Sequence, residues 1–301
     1  MTMSKRKWTN SNIPDQTGRL VIVTGANSGI GYETAKALAA KNATVIVASR
    51  NAQKGEAAVD TINAKNGTSN ARFMSLDLAS LASVRTFAGQ FKTHYDRLDV
   101  LINNAGVMMP PYGLTEDGFE LQFGINHLGH FALTGLLIDR ILQTNNSRVV
   151  TVSSSAHNWG QVNFDDLNSE QKYDKVRAYG QSKIANLYFT YELQRKLTAA
   201  GAHTIATAAH PGWTATNLQR HAGLFRFFNP IFGQKMDMGA LPTLMAAVGP
   251  AKGADYFGPG GFMEARGYPK KVHSNELSHD KDIAARLWSI SEELSGVKFS
   301  L

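Results

Sequence analysis

Tyr179 and Lys183 stand four residues apart in the run Tyr-Gly-Gln-Ser-Lys, which pairs a phenol with an ammonium. On a helix this spacing places the two side chains on one face, one turn apart. A free tyrosine titrates near ~10 and a free lysine near ~10.4, and an adjacent positive charge favours the phenolate. The pair therefore predicts that Tyr179 donates and accepts a proton close to working pH. Taken alone the spacing is common by chance and typical of an exposed helix pair, so its interpretation depends on its neighbours.

Polar residues follow three of the apolar runs that are typical of strands. Asp77 follows the third run, Asn104 belongs to the Asn-Asn-Ala-Gly segment after the fourth, and serines occupy positions 153–155 after the fifth. In doubly wound sheets, ligands bind at the carboxyl ends of the strands. We therefore expect these residues to share one site with Tyr179.

The first apolar run ends in a glycine-rich segment, residues 24–31, whose glycines are spaced G-x-x-x-G-x-G. Glycines let the backbone turn sharply and approach a pyrophosphate, and the following helix presents unpaired N–H groups and the positive end of its dipole. The position between a buried strand and an amphipathic helix favours phosphate binding over an ordinary turn. The last glycine is not followed by the Lys-Ser or Lys-Thr pair of phosphate-loop NTPases. The segment therefore predicts a dinucleotide rather than ATP.

The end of the second apolar run, Ala48-Ser49-Arg50, indicates which dinucleotide binds. A carboxylate at this place would accept hydrogen bonds from the ribose hydroxyls of NAD, and none is present. Arg50 instead offers a planar fork of donors for a 2′-phosphate, and Ser49 offers a hydroxyl. These residues predict NADP(H), with a solvated arginine at a helix start as the structural alternative.

The elements that must position these residues alternate along the chain. Strands are predicted at 20–24, 43–48, 72–76, 98–102, 148–153 and 204–209, and helices at 30–40, 53–63, from 80 onward, 119–142 and near 179–197. This alternation predicts an α/β fold, a single doubly wound Rossmann-type parallel sheet with helices on both faces. After Pro211 the alternation fails, and we predict a helix at 238–248, a strand at 254–257, a turn at 258–261 and a helix at 280–294. We expect one catalytic domain at 19–301 after a polar extension at 1–18.

Composition narrows the function further. The 301 residues include no cysteine, which excludes a disulfide framework, thiolate-bound zinc and a thiol nucleophile, and no metal site is predicted. The net charge of +7 is scattered rather than arranged as a basic stripe with aromatics, so no nucleic-acid partner is expected. No apolar stretch is long enough for a membrane span, and the polar start of the chain lacks the apolar region of a secretory signal. We expect a cytoplasmic protein.

The motifs together resemble the short-chain dehydrogenase/reductase family from about Arg19 to Asn217. The resemblance rests on TGANSGIG, DLAS, NNAG, the asparagine at position 126, the serine cluster, YGQSK and the run His-Pro-Gly at 210–212. It implies a catalytic tetrad of Asn126, Ser154, Tyr179 and Lys183, and a shift of one place would make Ser153 or Ser155 the serine instead.

In this family, hydride passes between C4 of the nicotinamide and the substrate carbonyl carbon, and the tyrosine transfers the proton. The lysine binds the nicotinamide ribose and lowers the tyrosine pKa. The helix is kinked at the asparagine, whose main-chain carbonyl holds a water. The resemblance and the motifs above predict a set of residues that bind NADP(H). They are Gly25, Asn27, Ser28, Gly29, Ile30, Gly31, Ser49, Arg50, Asp77, Leu78, Asn104, Ala105, Gly106, Tyr179, Lys183, Pro211, Gly212, Trp213 and Thr214, with Thr216 as an alternative to Thr214.

The runs at 125–131, 154–157 and 258–262 are most similar to the retinol dehydrogenase branch. This branch implies a bulky apolar aldehyde or ketone as the small-molecule substrate, and a homo-oligomer, dimer or tetramer, is expected. The phenylalanine-rich run at 225–232 lies where the family has a substrate lid, about 213–237, but core packing and peripheral membrane contact are alternatives. His157, Trp159 and His210 are interpreted as packing or hydrogen-bonding residues.

Two other functions stay open at this point. Light-dependent protochlorophyllide reductases share part of the pattern, but they use cysteines near the substrate and this chain has none. A non-catalytic NADP(H)-sensing regulator would keep the fold, although such proteins usually lose the tyrosine or the lysine. This chain retains both residues, as Tyr179 and Lys183.

Overall fold

The computed structural model describes residues 7–214 and 234–301, and eight strands in these ranges form one sheet in the order β3-β2-β1-β4-β5-β6-β7-β8. The strands are β1 Leu20–Thr24, β2 Thr44–Ser49, β3 Ala71–Ser75, β4 Val100–Asn103, β5 Arg148–Val152, β6 Ile205–Ala209, β7 Tyr256–Pro259 and β8 Pro269–Val272. The α-helices of these ranges are α1 Gly29–Ala39, α2 Ala52–Asn66, α3 Leu81–His94, α4 Leu121–Phe123, α5 Gly129–Leu142, α6 Lys175–Ala199, α7 Met236–Val248 and α8 Lys281–Ser295.

The sheet is covered by helices on both faces, as predicted. Strand β1 is buried at all five positions, because its alternate side chains enter two different cores. Leu20 and Ile22 pack in a cluster with residues of α3, α5 and α6, whereas Val21 and Val23 pack in a cluster with residues of α1 and α7. A strand buried on both faces reads as a continuous apolar run, which is why the strands were visible in the sequence. The doubly wound fold is confirmed.

The far edge of the sheet differs from the prediction of a parallel sheet. Strand β8 pairs antiparallel with β7, and Gly258 and Pro259, which were expected in a turn, belong to β7. The connection at 260–268 is too short for a helical crossover, so the chain can only return in the opposite direction. The prediction was therefore wrong at this edge, where β8 was missed.

The helix predicted over 119–142 is also interrupted. A π-helical segment, Gly124–Leu128, separates α4 from α5 and contains Asn126. Insertions of this kind occur often at functional sites, because the wider turn redirects backbone groups. The apolar periodicity of the sequence does not show the interruption, although the family resemblance implied a kink here.

Helix α6 carries the predicted tyrosine and lysine and is buried over most of its length. It begins after Asp174, whose carboxylate caps it by accepting hydrogen bonds from the N–H groups of Val176 and Arg177. Tyr179 and Lys183 are 5% and 3% exposed, so they do not form the exposed pair that their spacing suggests when taken alone.

The described start of the chain, from residue 7, lies against the domain. Ile13 is buried in the cluster that contains α1 and α7, and the Gln16 N–H donates to the carbonyl of Lys41 over 2.7 Å. Across residues 7–214 and 234–301, none of the helices combines the length and the apolar character that crossing a bilayer requires.

Phe131 on α5 joins the carboxy-terminal residues to the core. It is 1% exposed, and its ring centroid lies 5.1 Å from that of Trp288 and 4.9 Å from that of Phe299. We expect Phe131→Ala to lower the free energy of unfolding by about 3–5 kcal/mol, because it leaves a cavity among close-packed rings. Urea denaturation measures the loss. The control is Phe262→Ala, which removes a ring that is 82% exposed and should change stability by no more than about 0.5 kcal/mol. Equal losses of unfolding free energy in the two variants would contradict the close packing of Phe131 against Trp288 and Phe299.

Candidate active site

The glycine-rich segment forms a close-packed cradle between β1 and α1. Gly25 has a φ of +68°, and a Cβ there would lie 2.9 Å from the Cα of Ala105. A Cβ at Gly31 would lie 2.5 Å from the Asn104 amide nitrogen. A side chain at either position would therefore force the loop away from the segment that follows β4.

The amino terminus of α1 is suited to an anion. The helix begins at Gly29, no side-chain hydrogen bond is made by Ser28 at its cap, and its first turn has no acidic residue. The first N–H groups of a helix attract negative charge, so this loop fits the pyrophosphate of a dinucleotide. Asn27 and Ile30 are partly exposed beside the cradle, as contact with a cofactor would require.

Residues 104–106, here called the floor segment, are tied to the end of β1. The side-chain nitrogen of Asn104 donates to the carbonyl of Thr24 over 2.7 Å. The N–H groups of Asn104 and Ala105 both donate to the Thr24 hydroxyl oxygen, each over 2.9 Å. The predicted pyrophosphate and nicotinamide ends of the site are thus joined through one threonine.

The predicted adenosine end is assembled only in part. The Arg50 side chain is 69% exposed, and its guanidinium lies 3.6 Å from the carboxylate of Asp77, so both face the same edge. Ser49 does not join them. It is the last residue of β2, its hydroxyl is buried, and a Cβ on Gly55 of α2 would lie 3.1 Å from that oxygen. Strand alternation turns the side chain beneath α2, so the expected hydroxyl contact with a 2′-phosphate is not available in this structure.

Leu78 was predicted to hold the adenine ring. Its side chain is 7% exposed and packs in the core, where a Cβ on Gly129 would lie 3.0 Å from the Leu78 Cβ. The Leu78 side chain therefore packs against the start of α5, and little of its surface is exposed for contact with a ligand.

Three of the predicted catalytic side chains meet at the carboxyl end of β5. The Lys183 Nζ lies 5.6 Å from the centroid of the Tyr179 ring and donates to the carbonyl of Val152 over 3.3 Å. The Ser154 side chain forms a hydrogen bond that lowers the pKa of Tyr179. A Cβ on Gly106 would lie 3.6 Å from the Lys183 Nζ, so the floor segment borders the same cleft.

The serine cluster separates into three roles. The Ser153 hydroxyl is buried and donates to the carbonyl of Lys183 over 2.8 Å. Ser155 is exposed at the start of a short 3-10 helix. Ser154, the partner of Tyr179, is the serine that the structure brings to the site.

Asn126 acts through its whole amide group rather than as an open side chain. Its Nδ2 donates to the carbonyl of Val107 and to the Ser182 hydroxyl, each over 3.0 Å, and its Oδ1 accepts from the Val107 N–H over 2.8 Å. The Asn126 side chain therefore joins Val107, which follows the floor segment, to Ser182 of α6, the residue before Lys183.

Burial shifts the pKa values of the tyrosine and the lysine in opposite directions. Desolvation raises the pKa of Tyr179 to about 12 and lowers the pKa of Lys183 to about 8. The expected lowering of the tyrosine pKa is therefore not the net shift in this structure. The burial of the phenol outweighs the effect of its neighbours.

The segment predicted to lie at the nicotinamide carboxamide turns sharply. Gly212 has a φ of +64°, and the Trp213 N–H donates to the carbonyl of Ala265 over 2.7 Å. The Thr214 hydroxyl donates to the carbonyl of Pro211 over 2.9 Å. Thr216, the run at 225–232 and most of the predicted lid lie outside the described residues.

Two histidines near the site make hydrogen bonds, as interpreted. The His157 Nδ1 lies 2.6 Å from the carbonyl of Ser154, and the His210 Nε2 lies 2.9 Å from the carboxylate of Glu264. Trp159, by contrast, is 49% exposed.

A cleft that the sequence did not reveal lies near the site, although Tyr179 does not line it. It has a volume of about 540 Å³ and is lined mainly by apolar and aromatic residues. Met109 forms part of its wall and also packs with Tyr179. Gln122 joins its two sides, because its Oε1 accepts from the Met109 N–H and its Nε2 donates to the Tyr173 hydroxyl. The lining residues are Met109, Pro110, Pro111, Tyr112, Tyr173, Asp174, Lys175 and Val176.

Comparison with known proteins agrees with this geometry. The family model of the short chain dehydrogenases matches residues 19–224. The chain belongs to this family. This short chain dehydrogenase lies in the retinol dehydrogenase-like branch, since it is 41% identical to retinol dehydrogenase 12 of Mus musculus over 97% of the chain and 90% of that protein.

Two solved structures are similar to this short chain dehydrogenase. An uncharacterized protein from Mycobacterium paratuberculosis is 45% identical, with a TM-score of 0.84 over 98% of this chain and 100% of that one. The RhlG/NADP active-site complex of Pseudomonas aeruginosa is 25% identical, with a TM-score of 0.56 over 69% of this chain and 77% of that one. The fold and the reaction class therefore agree with the prediction.

Proposed function

We propose that the chain is an NADP(H)-dependent oxidoreductase that transfers a hydride between the nicotinamide and a carbonyl or alcohol substrate. The observation that carries this proposal is the meeting of Tyr179, Ser154 and Lys183 at the carboxyl end of β5, next to the floor segment. Membership of an oxidoreductase family supports it.

Each side chain has a distinct part in the proposed reduction. When bound, NADPH would supply the hydride for the new C–H bond at the carbonyl carbon. Ser154 and Tyr179 donate hydrogen bonds to the carbonyl oxygen, where negative charge develops. Tyr179 gives its proton to that oxygen, and the pKa of about 12 keeps the phenol protonated at neutral pH before the reaction. The ammonium of Lys183 then stabilises the phenolate that is left.

The proposed substrate is a bulky apolar aldehyde or ketone. The cleft of about 540 Å³ is connected to Tyr179 through Met109, and its two prolines, two tyrosines, methionine and valine suit an apolar molecule. The name of the similar mouse protein, retinol dehydrogenase 12, supports the same class of substrate.

Turnover with a panel of carbonyl compounds tests the proposed function. NADPH oxidation is followed with retinal, aliphatic aldehydes of increasing length, aromatic ketones, steroids and a small polar aldehyde. We expect kcat/KM to rise with the apolar size of the substrate. NADPH binding without turnover on any compound would favour the sensing regulator, and turnover that requires light would favour the pigment reductase.

The preference for NADP(H) is proposed to depend on Arg50. We expect Arg50→Ala to raise KM for NADPH by about 10–100-fold, because a charge-assisted hydrogen bond to phosphate contributes about 1.5–3 kcal/mol. KM for NADH should change little, since NADH has no 2′-phosphate. The matched control is Arg72→Ala, which removes an exposed arginine of β3 that donates to the Tyr95 hydroxyl. Equal effects on NADPH and NADH would contradict the assignment.

A further inference from the structure

His130 connects two parts of the site that are distant in the sequence. It follows the π-helical segment and is 1% exposed. Its Nδ1 lies 3.1 Å from the main-chain oxygen of Asn126, and its Nε2 lies 2.9 Å from the hydroxyl of Thr24. A carbonyl oxygen only accepts, so the hydrogen must be on Nδ1. In the neutral ring, Nε2 then accepts the hydrogen of the Thr24 hydroxyl.

This assignment uses every hydrogen-bonding position of the Thr24 hydroxyl. Its hydrogen is donated to the His130 Nε2 over 2.9 Å in preference to the Ile102 carbonyl at 3.3 Å, and its oxygen accepts the N–H groups of Asn104 and Ala105, each over 2.9 Å. Thr24 and Asn126 are both completely buried. Because these groups are buried, loss of His130 would leave the Asn126 carbonyl without this donor and would leave the Thr24 hydroxyl only the longer bond to the Ile102 carbonyl.

The chain of bonds continues from Asn126 into α6. The Asn126 amide holds the Ser182 hydroxyl over 3.0 Å, and Ser182 precedes Lys183 on the helix that also carries Tyr179. Displacement of the Asn126 turn would therefore move the helix relative to the floor segment.

The surroundings keep the imidazole neutral. Burial lowers the pKa of His130 to about 4, and the positive charge of Lys183 acts in the same direction. A second titratable group beside it is His127, whose pKa is lowered to about 3 by burial and, in the same direction, by His130. A neutral ring bridges the two polar groups without adding a second cation next to the catalytic ammonium.

We propose that His130 is a positioning residue, which fixes the Asn126 turn to Thr24 and so holds Tyr179 and Lys183 in register with the floor segment. The inference rests on the proposed function for its effect on turnover, but the hydrogen-bond arrangement can be measured without turnover. Nothing in the composition or periodicity indicates this role, although the spacing of four residues from Asn126 is visible in the sequence.

A pair of histidine variants tests the effect on turnover. We expect His130→Phe, which keeps a ring but loses both bonds, to lower kcat by about 10–100-fold, with KM for the carbonyl and Kd for NADPH changed by no more than about threefold. The matched control is His127→Phe. His127 lies one turn earlier, in the π-helical segment, and is 2% exposed, but its Nε2 bonds Ser291 of α8 over 2.9 Å and its other interaction is with Asn186 of α6, so it makes no contact with Thr24. We expect its kcat to stay within about twofold of the unaltered protein.

The two variants separate positioning from simple packing. If kcat falls equally in both, in proportion to their loss of thermal stability, His130 has only a structural role and the proposal is wrong. A folded His130→Phe variant with unchanged kcat overturns it as well.

Nitrogen NMR of the unaltered protein tests the hydrogen-bond arrangement without any measurement of turnover. With ¹⁵N-labelled histidine and no substrate, we expect His130 to show a protonated Nδ1 and an unprotonated Nε2 from pH 8 down to about pH 5. Thr24→Val should shift the Nε2 signal of His130 and identify it. An Nε2–H tautomer, or an imidazolium near pH 7, overturns the arrangement. If the carbonyl panel gives no turnover, the proposed function fails while this result still decides the positioning arrangement.

Discussion

Replacing Tyr179 by phenylalanine should abolish carbonyl reduction while NADPH still binds. The substitution removes one oxygen from a buried ring that packs with Met109 and Ala156, so the shape of the cleft changes little. It removes the proton donor, and general acid catalysis contributes about 10²–10⁴-fold to enzymatic rates. We expect kcat to fall by about 10³-fold or more. Steady-state kinetics with the best carbonyl of the panel measures this loss, and quenching or enhancement of NADPH fluorescence measures binding.

The control for this variant is Tyr188→Phe on the same helix. The Tyr188 hydroxyl donates to the carbonyl of Leu277 over 2.9 Å and has no place in the proposed chemistry. We expect a loss of about 1–3 kcal/mol in stability from the carbonyl left without its partner, with kcat within about twofold of the unaltered protein. Full activity in Tyr179→Phe would contradict the assignment of the Tyr179 phenol as the proton donor.

Lys183→Met should disable the protein and stabilise it at the same time. The ammonium is buried, and it donates to the Val152 carbonyl over 3.3 Å. The fall of its pKa from 10.5 to about 8 corresponds to about 3 kcal/mol that folding loses by desolvating the charge. Methionine removes this cost and fills similar space. Below pH 8 we expect Lys183→Met to have a larger free energy of unfolding than the unaltered protein. We expect its kcat to be lower by about 100-fold or more.

The sign of the pH dependence follows from linkage. Below about pH 8 the lysine is charged in both the folded and the unfolded chain, so the whole cost is present. Between about 8 and 10.5 the unfolded chain binds more protons, so stability rises with pH and the advantage of methionine disappears. In the unaltered protein, kcat/KM for NADPH should fall as pH rises through about 8, because this parameter reports the free enzyme. The Lys183→Met variant should not show this fall in kcat/KM.

The matched control is Lys196→Met on the same helix. Lys196 is 38% exposed and pairs with Glu192 at 3.7 Å, so its removal should change stability by no more than about 1 kcal/mol. Its kcat should be unchanged. If Lys183→Met destabilises the protein and leaves kcat intact, the lysine has a structural role and the proposed chemistry loses its cation.

Much of the fold could be predicted because its strands are buried on both faces. Strand β1 shows this most clearly, since an uninterrupted run of apolar residues needs no partner to be recognised. The π-helical segment at Gly124–Leu128 could not be found in this way, because one widened turn hardly alters the apolar period. Strand β8 was missed because its two central residues are exposed lysines, Lys270 and Lys271, at the edge of the sheet.

The site shows a similar division. Tyr179, Lys183 and Ser154 were found because motif spacing and strand ends determine which groups meet. The directions of the pKa shifts of Tyr179 and Lys183 could not be found in this way, because the burial of α6 depends on elements far away in the sequence, including α8. The orientation of Ser49 likewise depends on the packing of α2 over the end of β2. The cleft walls come from residues 109–112 and from residues 173–176 at the start of α6, which Gln122 joins, and no local pattern indicates that contact. Oligomeric state stays a prediction.

Transfer of a labelled hydride tests the central claim most directly. NADPH deuterated at C4, as the separate (4R) and (4S) forms, is incubated with the best carbonyl of the panel, and the alcohol is analysed by mass spectrometry and NMR. We expect one of the two forms to place a single deuterium on the former carbonyl carbon in each turnover, with none released to water. Deuterium in the solvent, or an alcohol that carries no label from either form, would contradict direct hydride transfer in this cleft.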